Sequence, residues 1–391
     1  MTTTIGFVFG GQFPCGGAEK VTLDVGQALA REGYRVIVFC REVVPSLLPA
    51  DCALHIIEYR QKLKDKASAD ELASHIREHG IRILTYVCTE PYFASQIRQQ
   101  TGVRIVHASH TLPFWETLHK KARKERLKDG NLWQRLQWYC YYNVRFNRLH
   151  VYERKYAARY ARTLRSVDAF TVLCPEYKAL LQQTLQLSAQ EAHKIHVTPN
   201  YLLPVRQPRT EKEKAVIFVG RLSYTDKRVD RLLRIWAAVE PQCPDWQLLI
   251  IGDGPEERNL RALAARLQLQ HVSFEGRHAD TRPYYERAAI LCLTSSYEGW
   301  PLVIMEAQAN GVVPVAFNCC AGVENLLTNG GENGVLVTPF DLDEFARQLT
   351  HLIKDEDARH EMQRHVLSLK YPLEETCKAH VTLYESLLDT E

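Results

Sequence analysis

Two carboxylates in one turn-and-helix stretch, Glu298 and Glu306, are the side chains of this chain best placed to do chemistry. Glu298 follows a buried-looking strand predicted over 289–295, and Glu306 lies eight residues further on, about two turns along a predicted helix. Ligands of parallel α/β sheets bind beyond the carboxyl ends of the strands. A carboxylate there accepts hydrogen bonds from sugar hydroxyls, whereas the structural alternative is a capped helix start followed by a helix-face glutamate.

Two cations, Arg221 and Lys227, occupy a second loop of this kind. The loop starts at Gly220, after a strand predicted over 215–219, and ends before a predicted helix, Val229–Val239. Arginine grips phosphate through two parallel hydrogen bonds, and the free amides of a helix N-terminus attract anions. The pattern suits a diphosphate, although two cations in a surface loop are also common without any ligand.

Glycine-rich loops follow two further strands. Gly16 and Gly17 come after a strand predicted over 5–9, and Gly252 opens the run Gly-Asp-Gly-Pro after the predicted strand Gln247–Ile251. Loops with so little bulk let a phosphate or sugar approach the backbone, or they form tight turns. The first run does not match GxGxxG, so a dinucleotide fingerprint is absent.

His110 lies just beyond another predicted strand, Arg104–Ala108. A lone histidine is more often structural than functional, but catalytic groups collect at the carboxyl ends of parallel strands. Its position in the pattern therefore favours a functional role.

The elements that position these residues alternate between strand and helix, which is typical of doubly wound parallel sheets. Strands of the first half are predicted over 5–9, 35–40, 54–59, 81–87, 104–108, 168–173 and 195–198. Strands of the second half are predicted over 215–219, 247–251, 272–275, 289–295, 314–317 and 335–337. Between the halves, Pro204, Pro208 and the charged stretch 209–214 interrupt the alternation and predict a domain boundary.

One segment, residues 115–165, departs from this alternation and is called the basic aromatic segment below. Fourteen basic side chains face four acidic ones in it, and aromatic residues such as Trp133, Trp138 and Tyr139 lie between them. Such a mixture seats a helix in an anionic membrane interface, and it also suits nucleic acid. The structural alternative is a long helical insertion whose aromatic side chains pack and whose charges are solvated.

Composition excludes several classes of protein. The 391 residues predict two to three domains, and contents of 46% hydrophobic and 24% charged residues are ordinary for a globular protein. The 11 cysteines show no CxxC or Cys/His ligand spacing, which favours neither a disulfide framework nor a zinc site and suits a reducing cytoplasm. The N-terminus lacks signal-peptide features, and no apolar run approaches the length of a membrane span.

Taken together, these segments resemble the retaining glycosyltransferases of the family-4 type (glycosyl transferases group 1). That family has the GT-B fold, an α/β architecture of two Rossmann-like doubly wound domains facing a central cleft. The order and spacing of the matching features cover nearly the whole chain: Gly16-Gly17-Ala18-Glu19, His110, Gly220-Arg221 with Lys227, Gly252-Asp253-Gly254-Pro255, Glu298 with Glu306, and Asn333-Gly334.

The resemblance implies a role for each matching position. Arg221 and Lys227 would neutralise the departing diphosphate in place of a metal ion. Glu306 would accept hydrogen bonds from the ribose of a nucleotide sugar, and Glu298 would contact the sugar hydroxyls. His110 would reach the transferred sugar near its reacting carbon, which completes an implied catalytic set of His110, Arg221, Lys227 and Glu298. The implied donor-binding set adds Glu306 and the residues Gly16, Gly17, Gly252, Arg277, His278, Gly299, Trp300, Pro301 and Leu302.

The resemblance also implies a domain organisation and a mechanism. An acceptor-side domain over 1–205 would carry the basic aromatic segment, a donor domain would span 206–370, and a final helix over 371–391 would pack on the first domain. No carboxylate is placed as a covalent nucleophile, so retention would proceed by same-face attack with the leaving phosphate taking the acceptor proton. The only D-x-D pattern, at Asp341 and Asp343, stands at a helix start and predicts capping, so no metal or other cofactor is expected.

Two departures from the family pattern bear on the substrates. Trp300 stands where a smaller apolar residue is usual, which narrows the expected sugar pocket, and Cys319-Cys320 falls in a loop that varies among relatives. The length of the basic aromatic segment points to a lipid-linked acceptor. The expected partners are a nucleotide-sugar donor, a glycan or lipid-linked acceptor and an anionic membrane contacted through 115–165, with no nucleic acid, in the cytoplasm at the inner face of the cell membrane.

Rival interpretations remain open on the sequence. The same fold serves sugar-nucleotide epimerases and phosphorylases, although a phosphorylase needs a cofactor lysine in a much larger chain. A different class is a non-catalytic adaptor that binds membranes or RNA through its basic aromatic segment. The sequence does not reveal the base, the sugar, the acceptor or the linkage, and a UDP-sugar is expected only because such donors are common.

Overall fold

The structure is a computed structural model that describes residues 2–202, 205, 207–327 and 331–389. The chain forms two compact units, and neither is continuous in sequence. The first unit comprises Met1–Pro113, Arg154–Tyr201 and Pro372–Glu391, and the second comprises Phe114–Glu153 and Leu202–Tyr371. Pro204 of the predicted linker and residue 206, where the predicted second domain begins, lie outside the described residues.

The first unit is built on a sheet of seven parallel strands. They are β1 (Thr4–Val8), β2 (Arg35–Cys40), β3 (His55–Glu58), β4 (Ile81–Val87), β5 (Arg104–Ala108), β6 (Ala169–Val172) and β7 (Ile195–Val197), in the order β3-β2-β1-β4-β5-β6-β7. The central strands are continuous apolar runs because helices cover both faces of a parallel sheet. In β2, for example, the four residues Val36 to Phe39 are all buried.

Helices complete the first unit on both faces of its sheet. They span Gly17–Arg31, Lys66–His79, Ala94–Thr101, Val151–Ser166, Pro175–Leu185, Ala189–His193 and Leu373–Leu388, and of Val151–Ser166 the part from Arg154 onward belongs to this unit. The last of these packs against the helix Gly17–Arg31. Its Thr376 donates a hydrogen bond to the Pro199 carbonyl at 3.0 Å, and the ring of Tyr384 lies 6.3 Å from that of Tyr34. The end of the chain is therefore part of the first unit.

The second unit contains a sheet of six parallel strands. They are β8 (Glu213–Val219), β9 (Gln247–Ile251), β10 (Val272–Gly276), β11 (Ala288–Leu293), β12 (Val313–Phe317) and β13 (Val335–Val337), in the order β10-β9-β8-β11-β12-β13. Side chains of β8 alternate between two cores: Val216 and Phe218 pack with Trp236 on one face, and Ile217 packs with Met305 on the other. The two doubly wound sheets predicted from the sequence are confirmed.

Helices of the second unit outside the Phe114–Glu153 segment cover both faces of its sheet. They span Val229–Val239, Glu257–Arg266, Arg282–Arg287, Leu302–Ala309, Ala321–Leu327, Leu342–Lys354 and Glu356–Ser368. In the order of strands, β8 and β11 are neighbours, while the chain leaves β8 for β9 on its other side. Such a reversal of strand order opens a crevice at the carboxyl ends of the strands. The loops after β8 and β11, which carry Arg221, Lys227 and Glu298, flank this crevice.

Residues 114–153, called the insertion below, are helical. They comprise the helices Trp115–Glu125, Leu132–Leu136 and Asn143–Asn147, a 3-10 turn Arg126–Asp129 and a π-helical stretch Gln137–Tyr142. The sequence analysis assigned the whole basic aromatic segment to the first domain, but the structure groups 114–153 with the second unit and only 154–165 with the first. Tertiary contacts account for this grouping, because Arg126 forms an ion pair with Glu256 and His119 contacts Tyr297. Among the described residues, no helix combines the length and apolar character needed to cross a bilayer.

Candidate active site

The centre of the candidate site is a buried ion pair between Lys227 and Glu298. Lys227 Nζ lies 2.6 Å from Glu298 Oε1, and Ser295 donates a second hydrogen bond to the same oxygen at 2.6 Å. The side chains of the lysine and the glutamate are only 19% and 11% exposed. Burial lowers the pKa of Lys227, but the Glu298 carboxylate outweighs this effect, and the net pKa is raised. The lysine is therefore a fixed cation at neutral pH.

Arg221 occupies the other end of the same loop, residues 220–228, called the Arg221 loop below. Its Nη2 donates to Asp226 Oδ2 at 2.9 Å, while its own side chain is 66% exposed. Asp226 also accepts hydrogen bonds from Ser223 and Thr225. Burial raises the pKa of Asp226, but the hydrogen bond from Ser223 and the charge and hydrogen bond of Arg221 lower it overall. An ionised Asp226 thus organises the loop and leaves the guanidinium accessible to a ligand.

Glycines allow the Arg221 loop and the loop after β9 to approach each other closely. Gly252 has φ of +134°, and a Cβ at this position would lie 2.0 Å from the Gly220 carbonyl oxygen. Gly254 has φ of +157°, and its Cβ would lie 2.4 Å from the Leu222 carbonyl oxygen. A side chain is excluded at both positions by the backbone of the Arg221 loop. The glycines predicted to admit a ligand thus have a demonstrable structural task as well.

Glu306 lies on the helix Leu302–Ala309, which starts directly after Pro301. The Tyr285 hydroxyl donates to Glu306 Oε2 at 2.9 Å, and the carboxylate raises the pKa of this buried tyrosine further than burial alone. Trp300, two residues after Glu298, directs its ring N–H to Met305 Sδ at 3.2 Å. The turn containing Gly299 and Trp300 is thereby tied to the first turns of the helix.

Arg277 and His278 follow the edge strand β10 and are exposed. The His278 ring is held by the Tyr284 hydroxyl at 2.9 Å and by the Glu275 carbonyl at 3.1 Å. The structure places them after the outermost strand of the sheet, two strands away from β8.

The remaining predicted residues, His110, Gly16 and Gly17, belong to the first unit. His110 follows β5, and its backbone N–H points to Cys88 Sγ at 3.4 Å. Burial lowers the pKa of His110 to about 4, although a hydrogen bond with the Asn200 side chain acts to raise it. The imidazole is therefore neutral at pH 7. Gly16 precedes the helix Gly17–Arg31, and a Cβ there would meet Glu19 Oε2 at 2.6 Å.

The structure thus joins Lys227 directly to Glu298 and places Arg221 on the same loop. Sequence reasoning did not assign roles to three residues that organise this cluster: Asp226, Ser295 and Tyr285. Polar residues directly after β8 and β11 were the available signal for the first two. The predicted capping role of Asp341 is confirmed, because its carboxylate accepts a hydrogen bond from the Glu344 amide at 2.9 Å.

Comparison with known families agrees with this architecture. The family model described as Glycosyltransferase Family 4 matches residues 15–202, and the model described as Glycosyl transferases group 1 matches residues 203–366. The two matches adjoin and together include every strand of both sheets except β1. The chain belongs to the group 1 glycosyltransferases and has the GT-B fold.

Several known proteins are similar to this chain. An uncharacterized glycosyltransferase of Haemophilus influenzae is 29% identical over 90% of each chain. The lipopolysaccharide 1,6-galactosyltransferase of Salmonella typhimurium is 28% identical over 44% of this chain and 48% of its own length. Among solved structures, HepE of Anabaena in complex with UDP and glucose has a TM-score of 0.73 at 16% identity, over 98% of this chain and all of that one. The chain is accordingly a glycosyltransferase, and the similarity to HepE supports its fold.

Proposed function

We propose that the protein transfers a sugar from a nucleoside diphosphate sugar to a glycan or lipid-linked acceptor in the synthesis of bacterial surface polysaccharide or lipopolysaccharide. We propose further that it retains the anomeric configuration and requires no metal ion. The observation that carries the proposal is the Lys227–Glu298 pair beside Arg221 at the switch point of the second sheet.

The cations supply the electrostatic part of the chemistry. Cleavage of the donor leaves negative charge on the diphosphate, and fixed cations aimed at that charge stabilise the transition state without reorganisation. A lysine ammonium has three N–H donors, so Lys227 can contact a phosphate oxygen while it keeps its hydrogen bond to Glu298. The exposed guanidinium of Arg221 can bind a second phosphate oxygen bidentately.

The carboxylates supply orientation. Glu298, held by Lys227 and Ser295, is assigned the hydroxyls of the sugar, and Glu306, held by Tyr285, is assigned the ribose hydroxyls. Both are acceptors beside groups rich in O–H donors. His110 is neutral at pH 7, so its proposed contact with the transferred sugar is a hydrogen bond and not an ion pair.

Similar proteins guide the choice of substrates. The Salmonella relative is a lipopolysaccharide 1,6-galactosyltransferase. A Campylobacter jejuni relative, 30% identical over 39% of this chain, is an N-acetyl-D-galactosaminyltransferase named for a glycan on diphospho-undecaprenol. The HepE structure contains UDP. A UDP-sugar donor and a lipid-linked glycan acceptor are therefore the first substrates to test.

The insertion supplies a surface for a peripheral membrane contact. Leu132 and Trp133 are 73% and 82% exposed, and Leu136 and Tyr139 are exposed on the following turns. Arg135 lies in the same helix, and most other charges of the insertion are basic. Aromatic and aliphatic side chains flanked by cations suit the headgroup region of an anionic bilayer. Such a contact would bring the enzyme to a lipid-linked acceptor.

The proposal is tested first by donor binding. UDP, GDP and ADP, and then their common sugars, are screened by thermal shift, because a bound ligand raises the melting temperature by mass action. The selected donor is then incubated with the protein in EDTA, and the anomeric configuration of the released or transferred sugar is read by NMR. Binding of a nucleotide with EDTA-resistant, retaining cleavage supports the proposal. Strict dependence on added Mn²⁺, or an inverted product, contradicts it.

Membrane contact has its own test. Flotation with phosphatidylcholine vesicles containing or lacking phosphatidylglycerol is compared for the wild type and for Leu132→Ser/Trp133→Ser. We expect binding only to the anionic vesicles and its loss in the variant, while donor hydrolysis persists. Equal flotation of variant and wild type would remove this surface from the proposal.

A further inference from the structure

The insertion contacts the turn that carries Glu298. The His119 ring nitrogen Nδ1 lies 3.0 Å from the hydroxyl of Tyr297, the residue directly before Glu298. Trp115, one turn earlier on the same helix, places its ring 5.5 Å from that of His119 and 6.0 Å from that of Tyr297. Tyr297 is only 9% exposed. Two side chains of the insertion thus cover and fix the tyrosine.

A second contact joins the insertion to the Arg221 loop itself. Arg126 Nη2 lies 2.5 Å from Glu256 Oε1, and the same guanidinium stacks over the ring of Tyr224 at 4.2 Å. Arg228 approaches the ring of Tyr224 at 4.3 Å. Tyr224 lies midway in sequence between Arg221 and Lys227, so the insertion contacts the Arg221 loop near its centre.

The contact of His119 with Tyr297 lies close to the charges of Asp226 and Arg221. Burial lowers the pKa of His119, the negative charge of Asp226 opposes this, and the positive charges of Arg221 and Arg123 reinforce it. The backbone N–H of Ser296, the residue before Tyr297, donates to the Asp226 carbonyl at 2.6 Å. His119 is therefore a neutral hydrogen-bonding partner close to the pair that presents the Arg221 guanidinium.

We propose that His119 is a positioning residue for the donor diphosphate, and that the helix Trp115–Glu125 braces Tyr297 and, through it, Glu298 and the Arg221 loop. This inference rests on the proposed function. The Arg221 loop has no regular secondary structure, so ordering it on ligand binding would cost conformational entropy. Contacts at Tyr297 and at Tyr224 hold it in place before the ligand arrives, which strengthens binding without any contact from the insertion to the ligand.

The test compares three histidine variants by UDP calorimetry and by steady-state kinetics. His119→Ala removes the hydrogen bond to Tyr297, and His119→Asn keeps a polar atom near the position of Nδ1. His150→Ala is the control, because His150 lies in the same insertion with a side chain that is 56% exposed. Loss of one partly buried hydrogen bond predicts a rise of about fivefold to tenfold in the UDP Kd and the donor KM of His119→Ala, with a smaller change in kcat. His119→Asn is expected to recover most of the affinity, and His150→Ala to match the wild type.

A double-mutant cycle separates positioning from a general effect on folding. Tyr297→Phe should weaken UDP binding as His119→Ala does, and the double variant should be no weaker than either single one.

Specific outcomes overturn the inference. One is an unchanged UDP Kd in His119→Ala, and another is additive losses in the cycle. A lowered melting temperature with no recovery of affinity in His119→Asn would assign the histidine to folding alone. Failure of the wild type to bind any nucleotide overturns the proposed function instead, so the two failures are distinguishable.

Discussion

Lys227 and Glu298 form a hydrogen-bonded ion pair, 2.6 Å between Nζ and Oε1, at the junction of the loops after β8 and β11. One residue was assigned to the diphosphate and the other to the sugar, and the structure shows that each holds the other. A diphosphate sugar therefore meets an ammonium and a carboxylate whose separation is already set. Both side chains are nearly enclosed, so either one alone would be a buried uncompensated charge.

The pair makes a prediction about stability. Lys227→Ala should lower the free energy of unfolding by about 3–5 kcal/mol, because it leaves the Glu298 carboxylate buried without its counterion. The double variant Lys227→Met/Glu298→Gln should regain most of this loss and still show no transferase activity. Urea unfolding followed by circular dichroism measures the first quantity, and a donor-consumption assay measures the second.

The matched control is Arg261→Met, which breaks the exposed pair of Arg261 with Glu257. Exposed ion pairs contribute little to stability, so this variant should unfold like the wild type and keep full activity. If Lys227→Ala proved as stable as Arg261→Met, the burial assigned to the pair would be wrong.

Gly252 makes a prediction about backbone packing. Gly252→Ala should destabilise the second unit by about 2–5 kcal/mol, because the residue has positive φ and its Cβ would overlap the Gly220 carbonyl. Gly276 provides the comparison: its φ of +76° is also left-handed, but a Cβ there meets nothing within 4 Å. Gly276→Ala should therefore cost only the backbone strain, about 1–2 kcal/mol. Equal melting temperatures for the two variants would refute the close approach of the loops.

Glu306 and Tyr285 make a prediction about nucleotide selectivity. If Glu306 binds the ribose, the wild type should prefer UDP to 2′-deoxy-UDP, and Glu306→Ala should lose this preference. Tyr285→Phe removes the hydroxyl that donates to Glu306, and the loss of one such bond predicts a fall of about threefold to tenfold in UDP affinity. Calorimetry with UDP and 2′-deoxy-UDP measures this preference. An undiminished preference for UDP in Glu306→Ala would show that Glu306 does not bind the ribose.

Buried histidines make a prediction about pH. Burial lowers the pKa of His107, His110 and His380 to about 4, below the ordinary value of 6.5. The unfolded chain then binds protons that the folded chain does not, so stability is complete above pH 6.5 and falls as the pH drops towards 4. Each such histidine changes the free energy of unfolding by at most about 1.4 kcal/mol per pH unit.

His380 is the clearest test of this slope, since it is only 8% exposed. His380→Leu should reduce the pH dependence of the unfolding free energy between pH 6.5 and 4.5. His360→Leu, which alters a side chain that is 54% exposed, should leave the dependence unchanged. Parallel pH profiles for all three proteins would argue against a neutral buried imidazole at position 380.

The strands were predictable because parallel strands covered on both faces are short continuous apolar runs. The strand predicted over 215–219 is the apolar part of Glu213–Val219, and Arg104–Ala108 is found as predicted. His110 was correctly placed beyond a strand end for the same reason. Turn residues such as Gly220 and Gly252 marked where the apolar runs stop.

The partners of the site residues were harder to predict, because they depend on neighbours in space. Lys227 and Glu298 were each placed after a strand, but their ion pair follows from the adjacency of β8 and β11 and from side-chain rotamers. The basic aromatic segment has no clear period, so its sequence could not indicate which sheet it joins. That choice is made by contacts such as Arg126 with Glu256.

Neither unit is a continuous piece of the polypeptide, and this has a consequence for biosynthesis. The first unit includes the helix Leu373–Leu388, so it cannot be completed until this helix, which follows the whole second unit in sequence, has left the ribosome. The insertion is translated long before β8. Until the sheet of the second unit has formed, the insertion therefore lacks the surface on which its side chains pack, and Leu132 and Trp133 are exposed throughout. A cut after residue 202 would therefore leave the first unit without the helix Leu373–Leu388 and the second unit without its insertion. Each unit would then have to be assembled from segments of both fragments.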